Sequence, residues 1–123
     1  PQDIVRQWMA RAAIFSVPST TLPSGEAEGF GLAFAEAQAM ELPVASFAVG
    51  GVPEVIAHGE TGLLAPDGDT AALARNLLTL LRDPDLCRRY GVAGRARVEE
   101  RFDLTRQTAK LETLYRRALE AVR

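Results

Sequence analysis

The sequence has almost no thiol or imidazole: Cys87 is its one cysteine and His58 its one histidine. A single thiol excludes an internal disulfide framework and cannot build a structural zinc site by itself. Long apolar runs are missing too. None approaches the roughly 18 residues that a membrane-crossing helix needs, so no transmembrane segment is expected. Excess charge of either sign is also lacking, because 14 basic residues stand against 16 acidic ones. Nucleic acid is therefore not expected as a partner, since phosphate-backbone binding needs a concentrated surplus of Lys and Arg. The arginines that do gather (Arg88, Arg89, Arg95, Arg97, Arg101) alternate with Glu99, Glu100 and Asp103 and read as a solvated helical face. The chain begins Pro1-Gln2-Asp3, without an initiator Met or a leader, and reads as the interior of a longer protein. A reducing, cytoplasmic setting fits this composition, with peripheral membrane attachment of the longer protein left open.

What is present is an alternation of short apolar runs with helical patterns. Ile4, Val5, Trp8 and Met9 mark an amphipathic helix over residues 3–13. Ala13-Ile14-Phe15-Ser16-Val17 suits a strand buried on both faces, and residues 18–29, rich in Pro, Ser, Thr and Gly, form a loop. A helix is predicted over 30–40, a strand over Val44–Val49, a turn at Gly50-Gly51 and a helical turn around 53–57. A third strand, Gly62–Ala65, ends at the turn Pro66-Asp67-Gly68-Asp69. Asp69 is placed to cap a helix over 70–82 whose stripe is Leu73, Leu77, Leu80 and Leu81. Short helices follow at 84–90 and 92–101. A last helix over 104–121 carries Leu104, Thr108, Leu111, Tyr115, Ala118 and Val122 at three- and four-residue steps. Buried strands alternating with helices predict an α/β fold. It is a partial Rossmann-like domain with a short parallel sheet of about three strands, flanked by helices and followed by a C-terminal helical pack. Further strands are expected before residue 1, because a doubly wound nucleotide-binding sheet normally has more.

The chemistry concentrates in Glu28-Gly29-Phe30-Gly31-Leu32-Ala33-Phe34-Ala35-Glu36. Here a loop leaves the carboxyl end of a strand and enters a helix through two glycines. Ligands of open α/β sheets bind at that edge. Free amides and the positive end of the helix dipole favour an anion there. Gly29 and Gly31 lack a Cβ, so a diphosphate can approach the main chain, although a tight turn alone would use the same residues. If both glutamates were helical they would stand about 12 Å apart along the axis. A glycosidase carboxylate pair needs about 5–9.5 Å, which excludes a hydrolytic pair. Carboxylates so spaced suit opposite ends of one elongated ligand, with the shape of a nucleoside diphosphate sugar.

Glu28-Gly-Phe-Gly-Leu…Glu36-Ala resembles the E-x7-E signature of the group 1, or family 4, glycosyltransferases of the two-lobed GT-B type. Pro18-Ser19, Leu42-Pro43-Val44, Gly50-Gly51-Val52-Pro53-Glu54-Val55, Gly59-Glu60-Thr61-Gly62-Leu63-Leu64, Asp67-Gly68-Asp69 and Arg101-Phe102-Asp103 extend the resemblance over residues 13–103. It implies that residues 1–123 form a single partial domain, the nucleotide-sugar-binding C-terminal lobe, without the N-terminal acceptor lobe. It implies that Glu28 contacts donor-sugar hydroxyls as the catalytic group. The amides of Gly29, Phe30, Gly31 and Leu32 would face the sugar and diphosphate, and Glu36 would accept the ribose hydroxyls. The reaction implied is glycosyl transfer with retention to a glycan, lipid or small acceptor. A nucleotide-diphosphate sugar serves as co-substrate, with no metal and no other cofactor. Three departures stand out. Glu41 occupies a helix end where glycine is common; residues 1–27 offer no counterpart of the upstream Arg and Lys, with Arg6 and Arg11 in the wrong setting; and the other lobe is lacking.

Other conspicuous residues read as structural. His58 shapes its loop rather than acting as a base, Glu60-Thr61 shapes the turn into the third strand, and Cys87 is an inert thiol. Glu54 either caps its own short helix or lies near the donor. Trp8 and Phe15 belong to the core or mark a surface left by absent neighbours. Two rival readings stand beside the enzyme: a non-catalytic nucleotide- or partner-binding module, and a structural fragment that self-associates through a bare edge. Residues 1–123 alone are expected to transfer no sugar, since nothing in them positions an acceptor. A glycosyl-transfer assay showing turnover by this chain would refute that.

Overall fold

The computed structural model describes residues 1–122. Helix α1 (Gln2–Met9) leads to strand β1 (Phe15–Ser16), then α2 (Leu32–Ala39), β2 (Val44–Phe47), α3 (Val52–Val55) and β3 (Gly62–Ala65). Three helices follow: α4 (Thr70–Arg82), α5 (Pro84–Arg101) and α6 (Leu104–Ala121). The three strands form one parallel sheet in the order β1-β2-β3, with Phe15 beside Val44 and Val44 beside Gly62. This is the α/β layer that the alternating pattern predicts.

The central strand β2 is buried along its whole length and anchors the core. Phe34 from α2, Phe47 from β2, Val52 and Val55 from α3, Ile56 and Leu80 from α4 are all at most 2% exposed. Burying each such side chain contributes about 1.5–3 kcal/mol. Helix α4 packs on β2 and β3, α2 packs on β2, and α5 lies against α2 and α4. Three aspartates start the last three helices. Asp69, Asp83 and Asp103 accept the amides of Ala72, Leu86 and Arg106 at 2.8–2.9 Å, each satisfying one free donor of a first turn.

Several expectations are corrected. Helix α1 stops at Met9, since the amides of Arg11 and Ala12 close tight turns onto Trp8 and Met9 before Phe15 pairs with Pro43. Strand β1 is two residues long and not buried on both faces: it is the sheet edge, with Phe15 half-buried and Ser16 exposed. Trp8 lies in solvent, which rules out only the first of the two readings given for it, membership of the core. Residues 84–101 form one helix instead of two, because Gly91 and Gly94 are contact points and not breaks. A Cβ on Gly91 would stand 2.1 Å from the Glu41 carbonyl oxygen, and one on Gly94 would stand 3.0 Å from the Gln38 side chain. Leu81 points to solvent, leaving Leu73 and Leu80 as the buried part of the α4 stripe. The expected C-terminal pack ends with α5, since α6 buries none of its residues. Nor are the arginines uniformly solvated. Arg95 donates to the Ala39 carbonyl at 3.0 Å, and Arg97 is half-buried. For Cys87 the inert reading fits: burial, with Asp83 nearby, pushes its thiol up, and Sγ donates to the Leu80 carbonyl.

Helix α2 ends in a Schellman motif. The Glu41 amide donates to Gln38 and the Leu42 amide to Ala37, and Glu41 itself has φ 59°. A left-handed conformation costs a non-glycine residue about 1–2 kcal/mol, and the Glu41 side chain is exposed. Glu41→Gly should therefore stabilise the chain by about 0.5–1 kcal/mol once glycine's greater unfolded-state entropy is subtracted. Gly91→Ala should destabilise it by about 1–3 kcal/mol, the usual range for overpacking. Urea unfolding midpoints of the two variants should move in opposite directions.

Candidate functional site

The loop between β1 and α2 descends to Gly31, the N-cap of α2, which adopts a left-handed conformation (φ 77°). Its side chain would collide with Phe34, at 2.4 Å from the ring, so glycine is required there by the fold. At Gly29 a Cβ would meet nothing within 4 Å. Close ligand approach is thus open at Gly29, while Gly31 answers first to its own helix. Gly31 offers no side-chain cap. Among the described residues, the amides of Gly29, Phe30, Gly31, Leu32 and Ala33 have no protein acceptor, and the first α2 amide that bonds is Phe34, to Gly31. Five successive free donors at a helix N-terminus form a cradle for an anion.

Two carboxylates flank this cradle. Glu28 lies in the loop and Glu36 in the second turn of α2; both are half-buried. Neither makes an ion pair or a side-chain hydrogen bond among the described residues. Because Glu28 lies in the loop, three residues before the left-handed Gly31, the helical spacing of about 12 Å assumed from the sequence does not describe the pair. Phe30 turns its ring away from the cradle onto Phe102 at the end of α5, edge-to-face with centroids 5.1 Å apart. Leu32 is 66% exposed and borders a groove shared with Glu36, Val98 and Phe102. A second groove, of about 360 Å³, runs between α1 and α2 and is lined by Gln2, Val5, Arg6, Met9, Glu36 and Met40. Arg6 thus borders the same groove as Glu36, and its guanidinium pairs with Asp3. Arg11 instead lies over the Trp8 ring.

Beneath residues 28 and 29 the support is main chain. The Gly51 amide donates to the Glu28 carbonyl at 2.9 Å. A Cβ on Gly50 would stand 2.0 Å from that same oxygen, and one on Gly51 would stand 1.9 Å from the Gly29 oxygen. The Gly50-Gly51 turn after β2 is therefore the seat of the Glu28 loop. Asp67, in the turn after β3, accepts the Thr21 amide of the same loop at 3.3 Å. His58 braces its own loop, where Nδ1 accepts the Leu64 amide at 2.9 Å and Thr61 Oγ1 accepts the Ala57 amide nearby. Glu54 is exposed, and its carbonyl accepts a hydrogen bond from Arg97. Among the described residues no three His, Cys, Asp or Glu side chains converge as a metal site would require.

Residues 2–83, more than half of the chain, match the family described as glycosyl transferases group 1. The chain belongs to the group 1 glycosyltransferases. The amylovoran biosynthesis glycosyltransferase AmsK of Erwinia amylovora is 41% identical over 103 residues, covering 84% of this chain and 25% of that protein. The structure of Alr3699/HepE of Anabaena in complex with UDP superposes with a TM-score of 0.76 at 29% identity, covering 89% of this chain and 29% of that one. The C-terminal domain of a group 1 glycosyl transferase (LpcC) from Francisella tularensis superposes at 0.72 with 25% identity, covering 85% of this chain and 50% of that one. This glycosyltransferase chain therefore has the fold of the C-terminal GT-B lobe. It spans about a quarter of the length of the curated relatives it matches. No helix among the described residues is long and apolar enough to cross a membrane.

Sequence reasoning singled out the candidate residues from Glu28 to Glu36 but not the turn that lies beneath them. A glycine pair after an apolar run signals a turn; what that turn lies against is a tertiary fact. In this glycosyltransferase lobe, Gly51→Ala should displace residues 28–30, because neither main-chain oxygen can yield without breaking the Gly51–Glu28 bond. Amide chemical shifts of residues 28–31 should move while those of α4 stay in place. An unshifted loop would mean that the seat is not the constraint.

Proposed function

We propose that this chain is the donor-binding lobe of a larger retaining glycosyltransferase that moves a sugar from a nucleotide-diphosphate sugar to a glycan, lipid or small-molecule acceptor. The observation that carries the reading is the run of five unpaired amides lying between two unpartnered, half-buried glutamates. The amides of Gly29 to Leu32 take the diphosphate, where the α2 dipole adds to the attraction. Glu28, on the loop side, accepts hydroxyls of the sugar as the catalytic residue. Glu36 accepts the two ribose hydroxyls, and the groove beside it between α1 and α2 is large enough for a base. UDP is the first nucleotide to test, because the similar HepE structure holds it.

In the reaction, the bond from the anomeric carbon to the diphosphate oxygen breaks and its electron pair stays on the diphosphate. The acceptor oxygen bonds to that carbon on the same face and passes its proton to the departing diphosphate oxygen beside it. Negative charge grows on the departing diphosphate, which the free amides would receive. That is electrostatic stabilisation by groups that need no reorganisation. No metal is invoked. The remaining groups, including those that hold the acceptor, would come from a second lobe.

Calorimetric titration with UDP, GDP and ADP tests the site. One nucleotide should bind, and Glu36→Ala should weaken it at least tenfold, since hydrogen bonds to a charged group are worth about 1.5–3 kcal/mol. Binding undiminished in Glu36→Ala would place the ribose elsewhere and overturn the assignment. Failure of the wild-type chain to bind any of the three would overturn the claim that these residues hold a donor unaided.

A further inference from the structure

We infer that Arg97, on α5, is a positioning residue for the Glu28 loop although it touches neither glutamate; as a claim about donor binding, this rests on the site proposed above. Arg97 is half-buried and is not paired with a carboxylate among the described residues. Its guanidinium instead donates from Nε to the Val55 carbonyl at 2.9 Å and from Nη2 to the Glu54 carbonyl at 2.8 Å. These are the last two carbonyls of α3, unsatisfied within a single-turn helix. A planar fork with two parallel donors fits two adjacent carbonyls, and its charge opposes the negative end of the helix dipole.

The other end of α3 carries the site. Gly51, its N-cap, donates to the Glu28 carbonyl, and a Cβ on it would stand 1.9 Å from the Gly29 oxygen. Four helical residues span only about 6 Å, so a displacement at the carbonyl end reaches the Gly51 end with little loss. The Val55 oxygen also accepts Gln38 Nε2 at 3.2 Å. Gln38 is fully buried and sits two residues after Glu36 on α2. One carbonyl thus joins α5, α3 and α2. Arg97 fixes the strut beneath Glu28 relative to the helix that carries Glu36. The distance between the two carboxylates, which must match a ligand of fixed length, then depends on a side chain outside the cradle.

The test compares the wild-type chain with Arg97→Gln, Arg97→Lys and, as a control on the same helix, Arg88→Gln. Arg88 pairs only with Asp85 at the surface. Two readouts are taken: residue-resolved amide hydrogen exchange without ligand, and UDP affinity. In Arg97→Gln, exchange at the Gly51 amide should accelerate on the order of tenfold, as expected for loss of local anchoring. The Ala48 amide, bonded to Ala65 across the sheet, should keep its protection. UDP affinity should fall by about tenfold, the lower end for removal of a supporting contact. Arg97→Lys keeps the charge and a donor and should recover part of both losses, and it carries the comparison should Arg97→Gln fail to fold. Arg88→Gln should change neither. Unchanged exchange at Gly51, or acceleration of Gly51 and Ala48 in step, would overturn the inference. Absence of UDP binding in the wild type would remove the donor reading, while the exchange measurement would still decide whether Arg97 holds the loop.

Discussion

Everything at the candidate site depends on two stretches of main chain meeting with no side chain between them. The Gly50-Gly51 turn lies directly under residues 28 and 29, at separations that a Cβ would fill. One hydrogen bond, from Gly51 to Glu28, fixes the relation. The contact orients the Glu28 carbonyl inward, so the amides that follow run free towards the start of α2. A side chain in this seam would lift the loop off the sheet. The cradle would then have to be shaped by the ligand, with the ordering entropy that this entails.

A second seam follows the same logic. Helices α2 and α5 approach through Gly91 and Gly94, which face the Glu41 carbonyl and the Gln38 side chain. The Gln38 Oε1 is buried without a conventional partner. A Cβ on Gly94 would stand 3.2 Å from it, so glycine keeps the space beside this oxygen open. The close approach also brings Arg95 and Arg97 within reach of helix-terminal carbonyls. Small residues on one helix thus permit long ones to bridge its ends.

How much of this was legible can be read element by element. Strand β3, helix α4 with its Asp69 cap and the bounds of α6 follow from local signals: a turn sequence, an N-cap and a leucine stripe. The candidate residues from Glu28 to Glu36 are legible because they follow one another in the chain. Supports are not contiguous. Gly91 reads as a helix break when its partner across the interface is unknown, and Arg97 reads as surface charge when the carbonyls it meets lie 42 and 43 residues away. Burial is misread at β1 and α6, because periodicity reveals an apolar face but not whether anything covers it.

That uncovered face changes how the end of the chain behaves. Helix α6 is 18 residues long, buries nothing, and holds itself through its Asp103 cap and a Glu112–Arg116 pair one turn apart. A helix of this length on its own sits near the balance point between ordered and coiled chain in water. The order of α6 should therefore follow temperature and surroundings separately from the core, which Met9 joins and which reaches to α5. Heating would unwind α6 without disturbing the cradle, so a melting curve followed by helix content and one followed by the core would not coincide.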